Sequence, residues 1–390
     1  MRCRLGVRAS NSTRASSSPW SVKFPNRSPT NCAAESDAQA QPSRWVEPTQ
    51  VRAAHLESTV TKVSNVFRLP VGARPSPQLG EQRPLEPTSP KRSEGGIVAG
   101  FLAPHPPHLI YGENPIQNEP RSEGGWETLR WAYEGVRRRI REVYRPDVIV
   151  VHAPHWITMV GHHVNCVPRS TGVSVEPIFP HLFRYHYDFQ TDVELAHAIA
   201  DSAEGLGLTV GRMTNPRLRV DYATIGSLHL VNDSWDIPVV SLSANNNPYF
   251  YSDAPQDQME LLGEATRTAI EATGRRAIVI ASNSLSHMHW DREPDPPEDM
   301  SAEHIYNQHQ YQWDMHLLEA LRSGLGPDDL RSIISAHIEA TASETKAGSL
   351  TWMLSALGWP VMPADVLAYG TVIGTGNGIV EWDMGKSMIS

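Results

Sequence analysis

Hydrophobic and polar positions keep no regular rhythm from Met1 to about Glu94, and then fall into order abruptly. From Gly95 onward, short apolar runs that suit buried strands alternate with longer stretches whose apolar residues recur at three- and four-residue steps, the period of an amphipathic helix. "IVAGFLAP", beginning at Ile97, reads as the first strand. A helix from Trp126 to Tyr144 follows, with Leu129, Ala132, Val136, Ile140 and Val143 on its apolar face. "DVIVVHAP" (Asp147 to Pro154) is the next buried strand, and the helix "DVELAHAIADSAEGLG" ends on glycines of the kind that cap helix C termini. "LTVGRM" reads as a strand, and "IPVVSLSA", a helix from about Gln256 to Thr273, and "RAIVIASNSLSH" make a further strand, helix, strand unit. Helices fill most of Ser301 to Gly358, and "VLAYGTVIGTGNGIVEWDM" follows as a hairpin with turn glycines. Its "GTGNG" has no helix after it, so it is a turn and not a phosphate loop. The alternation predicts an α/β fold with a central sheet flanked by helices on both faces.

Composition divides the chain at the same place. Residues 1–94 are rich in Ser, Pro and Arg, carry no acidic residue before Glu35, and are expected to be disordered. Three origins fit them: an organelle-targeting segment, a flexible tail, or an over-long start choice, and the abrupt onset of pattern at "GGIVAG" favours the last. Residues 95–390 are expected to form the folded domain. The net charge of −9 and pI near 6.0 argue against a nucleic-acid or other polyanion partner. No run approaches the roughly 18 apolar residues of a membrane span, so a soluble, cytoplasmic protein is expected. Of three cysteines only Cys166 lies beyond residue 95, which excludes a disulfide framework and a Cys-based zinc site there. A metal would have to be held by His and carboxylate.

Histidines gather where the strands end. The first strand runs into His105 and His108, set among Pro104, Pro106 and Pro107, which restrict the backbone and so the directions of the imidazoles. The second runs into His152 and His155, and "AIVIASNSLSHMHW" runs into His287 and His289. One such pair decides nothing, since a strand-end His is commonly just a hydrogen-bonded loop residue. Three pairs at the carboxyl edge of an open α/β sheet make a convergent cluster at the place where such sheets bind ligands. Two His and one carboxylate suit non-haem Fe(II) that activates oxygen, and "EATASETKAGSLTWML" offers Glu339 and Glu344 as the acid.

"GFLAPHPPH", "VVHAPHW", "SNSLSH" and "SETKAGSLTWML", in this order and spacing, resemble the class III extradiol ring-cleavage dioxygenases, the LigB-like superfamily, and within it the aminophenol-cleaving members. The resemblance covers about Gly95 to the C terminus and implies a central mixed sheet between helical layers. It places the iron-ligating histidines on His105 and His155, the carboxylate ligand on Glu344, and the acid–base residue on His287. Fe(II) is the implied cofactor, and a small aromatic substrate and O2 the implied reactants, with 2-aminomuconate 6-semialdehyde as product. Where many catechol-cleaving members carry Asp-His-Gly, this chain reads "VDYATIGSLHL", so Tyr222 stands in the position of a pocket histidine and favours an aminophenol over a diol. A tyrosine hydroxyl can hydrogen-bond there but, with a reference pKa of about 10, cannot be a base near neutral pH. The resemblance also implies a related, non-catalytic alpha subunit as partner. His108, His152 and His289 are expected to orient neighbours or line the pocket, and at most one of His162 and His163 can face it. Trp156 and Trp290 could wall the pocket, and Asn245, Asn246 and Asn247 could donate to it or simply form a turn. The rivals are the same chemistry on catechol or protocatechuate, a zinc hydrolase with the same ligands, and a non-catalytic member of the superfamily.

Overall fold

Side chains that alternate along a strand reach opposite faces of its sheet, so a strand buried on both faces must be apolar throughout. Arg276–Ala281 shows this: Ala277, Val279 and Ala281 enter one apolar core, while Ile278 and Ile280 enter a second. The computed structural model describes residues 95–111, 126–177, 180, 183–244, 255–289 and 305–385. Residues 1–94, Trp290 and Asn245 to Asn247 lie outside the described residues.

In chain order the elements begin with β1 (Gly96–Leu102), α1 (His108–Tyr111), α2 (Glu127–Arg139), β2 (Val148–His152), β3 (His162–Asn165), β4 (Arg169–Val175) and β5 (Arg184–Gln190). Then come α3 (Val193–Gly205), β6 (Val210–Met213), α4 (Tyr222–Val231), β7 (Val239–Leu242), α5 (Gln256–Thr273) and β8 (Arg276–Ala281). The described chain continues with α6 (Gln308–Ser323), α7 (Pro327–Ala340), α8 (Gly348–Ala356), β9 (Asp365–Val372) and β10 (Thr375–Asp383). Eight strands form one mixed sheet in the order β6-β3-β7-β2-β8-β1-β10-β9, and β4 and β5 pair separately as an antiparallel ribbon. Strands β7, β2, β8 and β1 are mutually parallel, whereas β3 meets β7 and β10 meets β1 in antiparallel register.

The first core packs α3, α5, α6, α7 and α8 against one face. The second packs α2, α4 and the aromatic residues Phe183, Tyr187 and Phe189 of the ribbon region against the other. Each fully buried large apolar side chain contributes about 1.5–3 kcal/mol relative to exposure. Helix α2 departs from its sequence pattern at the end. A π turn spans Ile140–Tyr144, with Arg145 N–H bonding back to Ile140 O at 2.8 Å, and the extra residue in this turn rotates Tyr144 toward the sheet. Tyr144 is therefore 2% exposed, and Val143, expected on the apolar face, is 58% exposed. No helix among the described residues is long and apolar enough to cross a membrane.

For the site, the decisive feature is that β2, β8 and β1 are neighbours and parallel, so their carboxyl ends share one edge. Hydrogen bonds continue the ladder past that edge: Ala103 N–H to Ala281 O at 2.9 Å and Ser282 N–H to His152 O at 3.0 Å. The loops beyond are thus anchored where they leave the sheet.

Candidate metal centre

His105 leaves the end of β1 on the proline-rich loop, whose Pro104 carbonyl accepts a hydrogen bond from Tyr133. Its Nδ1 lies 2.9 Å from Ser282 Oγ, which lies 2.6 Å from Ser227 Oγ, which in turn donates to Ala103 O at 2.8 Å. Each hydroxyl has one proton, so the chain has one consistent direction: Ser227 donates to the carbonyl, Ser282 to Ser227, and His105 Nδ1–H to Ser282. The Nε2 of His105 then keeps its lone pair. Burial pushes the His105 pKa down to about 3, against the opposing pull of Glu344, so the ring stays neutral near pH 7.

His155 follows β2. Its Nε2 lies 3.2 Å from Glu344 Oε1 and 2.9 Å from the Tyr222 hydroxyl, and its ring stacks on Tyr222 with centroids 4.5 Å apart. Burial lowers its pKa, but Glu344 beside it, with Asp221 and Glu176 behind, outweighs burial and leaves it above the ordinary value. His152, three residues earlier, shares strand parity with Val148 and Val150 and so enters the opposite face, where Nδ1 meets Ser349 Oγ at 2.8 Å.

Glu344 arrives from the other side, on a turn between α7 and α8. Its Oε2 accepts from Ser284 N–H at 2.7 Å and Ser284 Oγ–H at 3.2 Å. Its Oε1 is buried with no hydrogen bond, yet it faces His155, His105 and His287 Nε2 at 3.2, 3.7 and 3.9 Å. Burial alone would raise the carboxyl pKa, but His287, His105 and His155 together hold it below the ordinary range. One ligand atom each from His105, His155 and Glu344 lies within 4.8 Å of the others. A buried carboxylate oxygen without a donor is costly, and a cation between it and two imidazole lone pairs removes that cost. The donor set therefore fits a divalent metal.

His287 Nδ1 is 2.6 Å from Ser284 Oγ, whose proton goes to Glu344. The ring therefore donates from Nδ1, and its Nε2 lone pair faces the cavity 3.3 Å from His289 Nε2. That cavity, about 130 Å³, is close to the roughly 150 Å³ that holds benzene inside a protein. His105, His155, Tyr222, His287 and Glu344 line it, and Val372, Ile373, Thr375 and Asn377 close it from the β9–β10 hairpin.

The structure brings together all five residues singled out by the sequence. His108 and His289 also line the cavity, His108 with its ring edge-on to Trp126 at 5.5 Å. His152, His162 and His163 are not among the lining residues, and Trp156 lies against His163, with centroids 6.4 Å apart, instead of walling the site. Glu339 is not part of the cluster. Sequence reasoning missed the serines that fix the histidine tautomers, although "SNSLSH" displays two of them, and it missed Glu176, a 2% exposed carboxylate on the cavity wall.

The model of the catalytic LigB subunit of aromatic ring-opening dioxygenases matches residues 99–379. The 2-aminophenol 1,6-dioxygenase beta subunit of a Pseudomonas species is 51% identical over 296 residues, 76% of this chain and 96% of that protein. The 2-aminophenol 1,6-dioxygenase alpha subunit, also from a Pseudomonas species, is 24% identical over 289 residues, 74% of this chain and 99% of its own length. The crystal structure of an uncharacterized protein from Escherichia coli K12 superposes with a TM-score of 0.50 at 16% identity, covering 73% of this chain and 99% of that one, a likeness of fold alone.

Proposed function

Because the chain belongs to the LigB family of catalytic subunits of aromatic ring-opening dioxygenases, we propose that it opens the ring of 2-aminophenol-type substrates with O2, using Fe(II) held by His105, His155 and Glu344, to give 2-aminomuconate 6-semialdehyde. The observation that carries this proposal is the bare Oε1 of Glu344, buried and facing imidazole nitrogens of both candidate ligands. When bound, Fe(II) supplies a Lewis acid with open positions for the ring's two neighbouring heteroatoms and for O2, and a redox path between them.

The protein's own groups do the rest. His287 Nε2 takes the proton that the phenol loses on binding and returns a proton later in the cycle, the general acid–base work that a positioned imidazole performs. Tyr222 supplies a hydrogen-bonding hydroxyl from the ring that stacks on His155. Val372 and Ile373 present apolar surface to the flat face of the substrate. A related, non-catalytic alpha subunit completes the enzyme in this proposal, supported by the beta and alpha names of the two Pseudomonas relatives.

The test is O2 consumption by the full chain, loaded anaerobically with Fe(II), alone and co-expressed with an alpha-type subunit. Uptake on adding 2-aminophenol, none with zinc in place of iron, and weaker uptake with catechol or protocatechuate are expected. Faster turnover of the diols would move the substrate assignment to them.

A further inference from the structure

Behind the metal centre lies a polar network whose side chains do not line the cavity. Asp314 of α6 and His337 of α7 are both fully buried, and His337 Nε2–H donates to Asp314 Oδ1 at 2.9 Å. The same Oδ1 accepts from Ser286 N–H at 3.0 Å, and Oδ2 accepts from Ser286 Oγ–H at 2.7 Å and Tyr369 OH at 2.8 Å. On the other side of the ring, His337 Nδ1 lies 3.0 Å from Ser343 Oγ.

These contacts join two segments that matter. Ser286 directly precedes His287 and follows the Ser284 that bonds both His287 and Glu344. Ser343 directly precedes Glu344. Ser286 and Ser343 form an isolated antiparallel bridge, and His287 N–H donates to Ala342 O at 2.9 Å. Gly376 of the hairpin wall closes over the same carboxylate. It bonds Ser286 O through its N–H at 2.9 Å, and a Cβ there would fall 1.9 Å from Asp314 Oδ2, so no larger residue fits.

We propose that Asp314 is a positioning residue for the ring-opening reaction: through Ser286 on one side and His337 and Ser343 on the other, it sets the spacing between His287 and Glu344. A carboxylate is needed because it can accept four hydrogen bonds at once, whereas an amide in its place turns one acceptor oxygen into a donor that opposes Ser286 and Tyr369. The inference rests on the metal-dependent function proposed above.

The experiment loads the full-length wild type and Asp314→Asn with Co(II), whose visible absorption reports ligand geometry, and measures Fe(II) affinity by chelator competition. Asp314→Asn is expected to shift the Co(II) spectrum and to weaken Fe(II) binding by about 10- to 100-fold, the range for residues that orient metal ligands. A folded Asp314→Asn protein with the wild-type spectrum and affinity would overturn the inference. If that variant does not fold, Ser286→Ala, which removes only the Oγ bond, is expected to give a smaller shift of the same band, and an unchanged band overturns the inference. A wild type that takes up neither metal sinks the metal-dependent function, and this inference with it; a metal-binding wild type with insensitive variants overturns this inference alone.

Discussion

A histidine can ligate a metal or take a proton only through a nitrogen that carries a lone pair, and in this site two serines decide which nitrogen that is. Ser282 holds His105 in the Nδ1–H form, and Ser284 does the same for His287. Ser282→Ala removes the acceptor for His105 Nδ1–H, and Fe(II) affinity is expected to fall about 10- to 100-fold in a chelator titration; equal affinity would show that the serine chain does not orient the ligand. His287→Gln should keep its metal but lose about 100- to 10,000-fold in turnover, whereas Glu344→Gln should lose the metal itself. Metal content and rate, measured on the same samples, separate the two. The five principal residues were legible in the sequence because each sits beside a strand end or in a quoted motif. The choice of His155 over His152 also has a parity argument, since His152 continues the alternation of Val148 and Val150 into the opposite core. The serine relays were not legible, because hydroxyl direction depends on atoms 55 and 177 positions apart in the chain.

The turn that delivers Glu344 shows what local pattern omits. Thr345, Lys346 and Ala347 all adopt left-handed backbone angles, with φ of 45°, 50° and 54°, and none is glycine or asparagine. Such residues cost on the order of 1–2 kcal/mol each, and "SETKAGSLTWML" reads as plain helix because helical periodicity carries no warning of the strain. Strain of this kind is held in place by surrounding contacts, here the Gln256 side chain on Lys346 O at 2.6 Å and the bond of Ser284 to Glu344. Lys346→Gly is expected to raise the stability by about 1 kcal/mol without changing metal affinity, because glycine enters this region freely and the carbonyl contact remains. Denaturant unfolding would check it, and a loss of stability would mean that the lysine side chain contributes more than its backbone costs. The end of α2 was misread for a related reason: a π turn shifts the buried face by one residue, from Val143 to Tyr144, and a 3.6-residue pattern has no place for it.

Taken over the described fold, alternating apolar runs and amphipathic stretches were enough for an α/β sheet covered on both faces, but not for the strand order. That order depends on which edges meet, and it is the adjacency of β2, β8 and β1 that turns separate histidines into one site. The same packing buries histidines outside the site. Burial, and then their mutual proximity, pushes His152 down to about 3, while His162 is pushed down to about 4, chiefly by burial. Their folded pKa values lie below the unfolded value of about 6.5, so above that pH neither state is charged and they contribute nothing. As pH falls through 6.5 the unfolded chain binds protons that the fold excludes, and stability drops by roughly 1–2 kcal/mol per pH unit for each histidine until the folded groups titrate. His162→Gln should flatten the fall in denaturation midpoint between about pH 6.5 and pH 4.5, whatever its effect at neutral pH; an unaltered slope would assign the acid sensitivity elsewhere. The central claim is that this fold opens an aromatic ring with both atoms of O2. Its most direct test is mass analysis of the product formed from 2-aminophenol by the Fe(II)-loaded full chain, co-expressed with an alpha-type subunit, under heavy-isotope oxygen and with the aldehyde reduced to the alcohol as it forms. A ring-opened product carrying both labelled atoms is the expected result, and a product with one label or none would contradict the account.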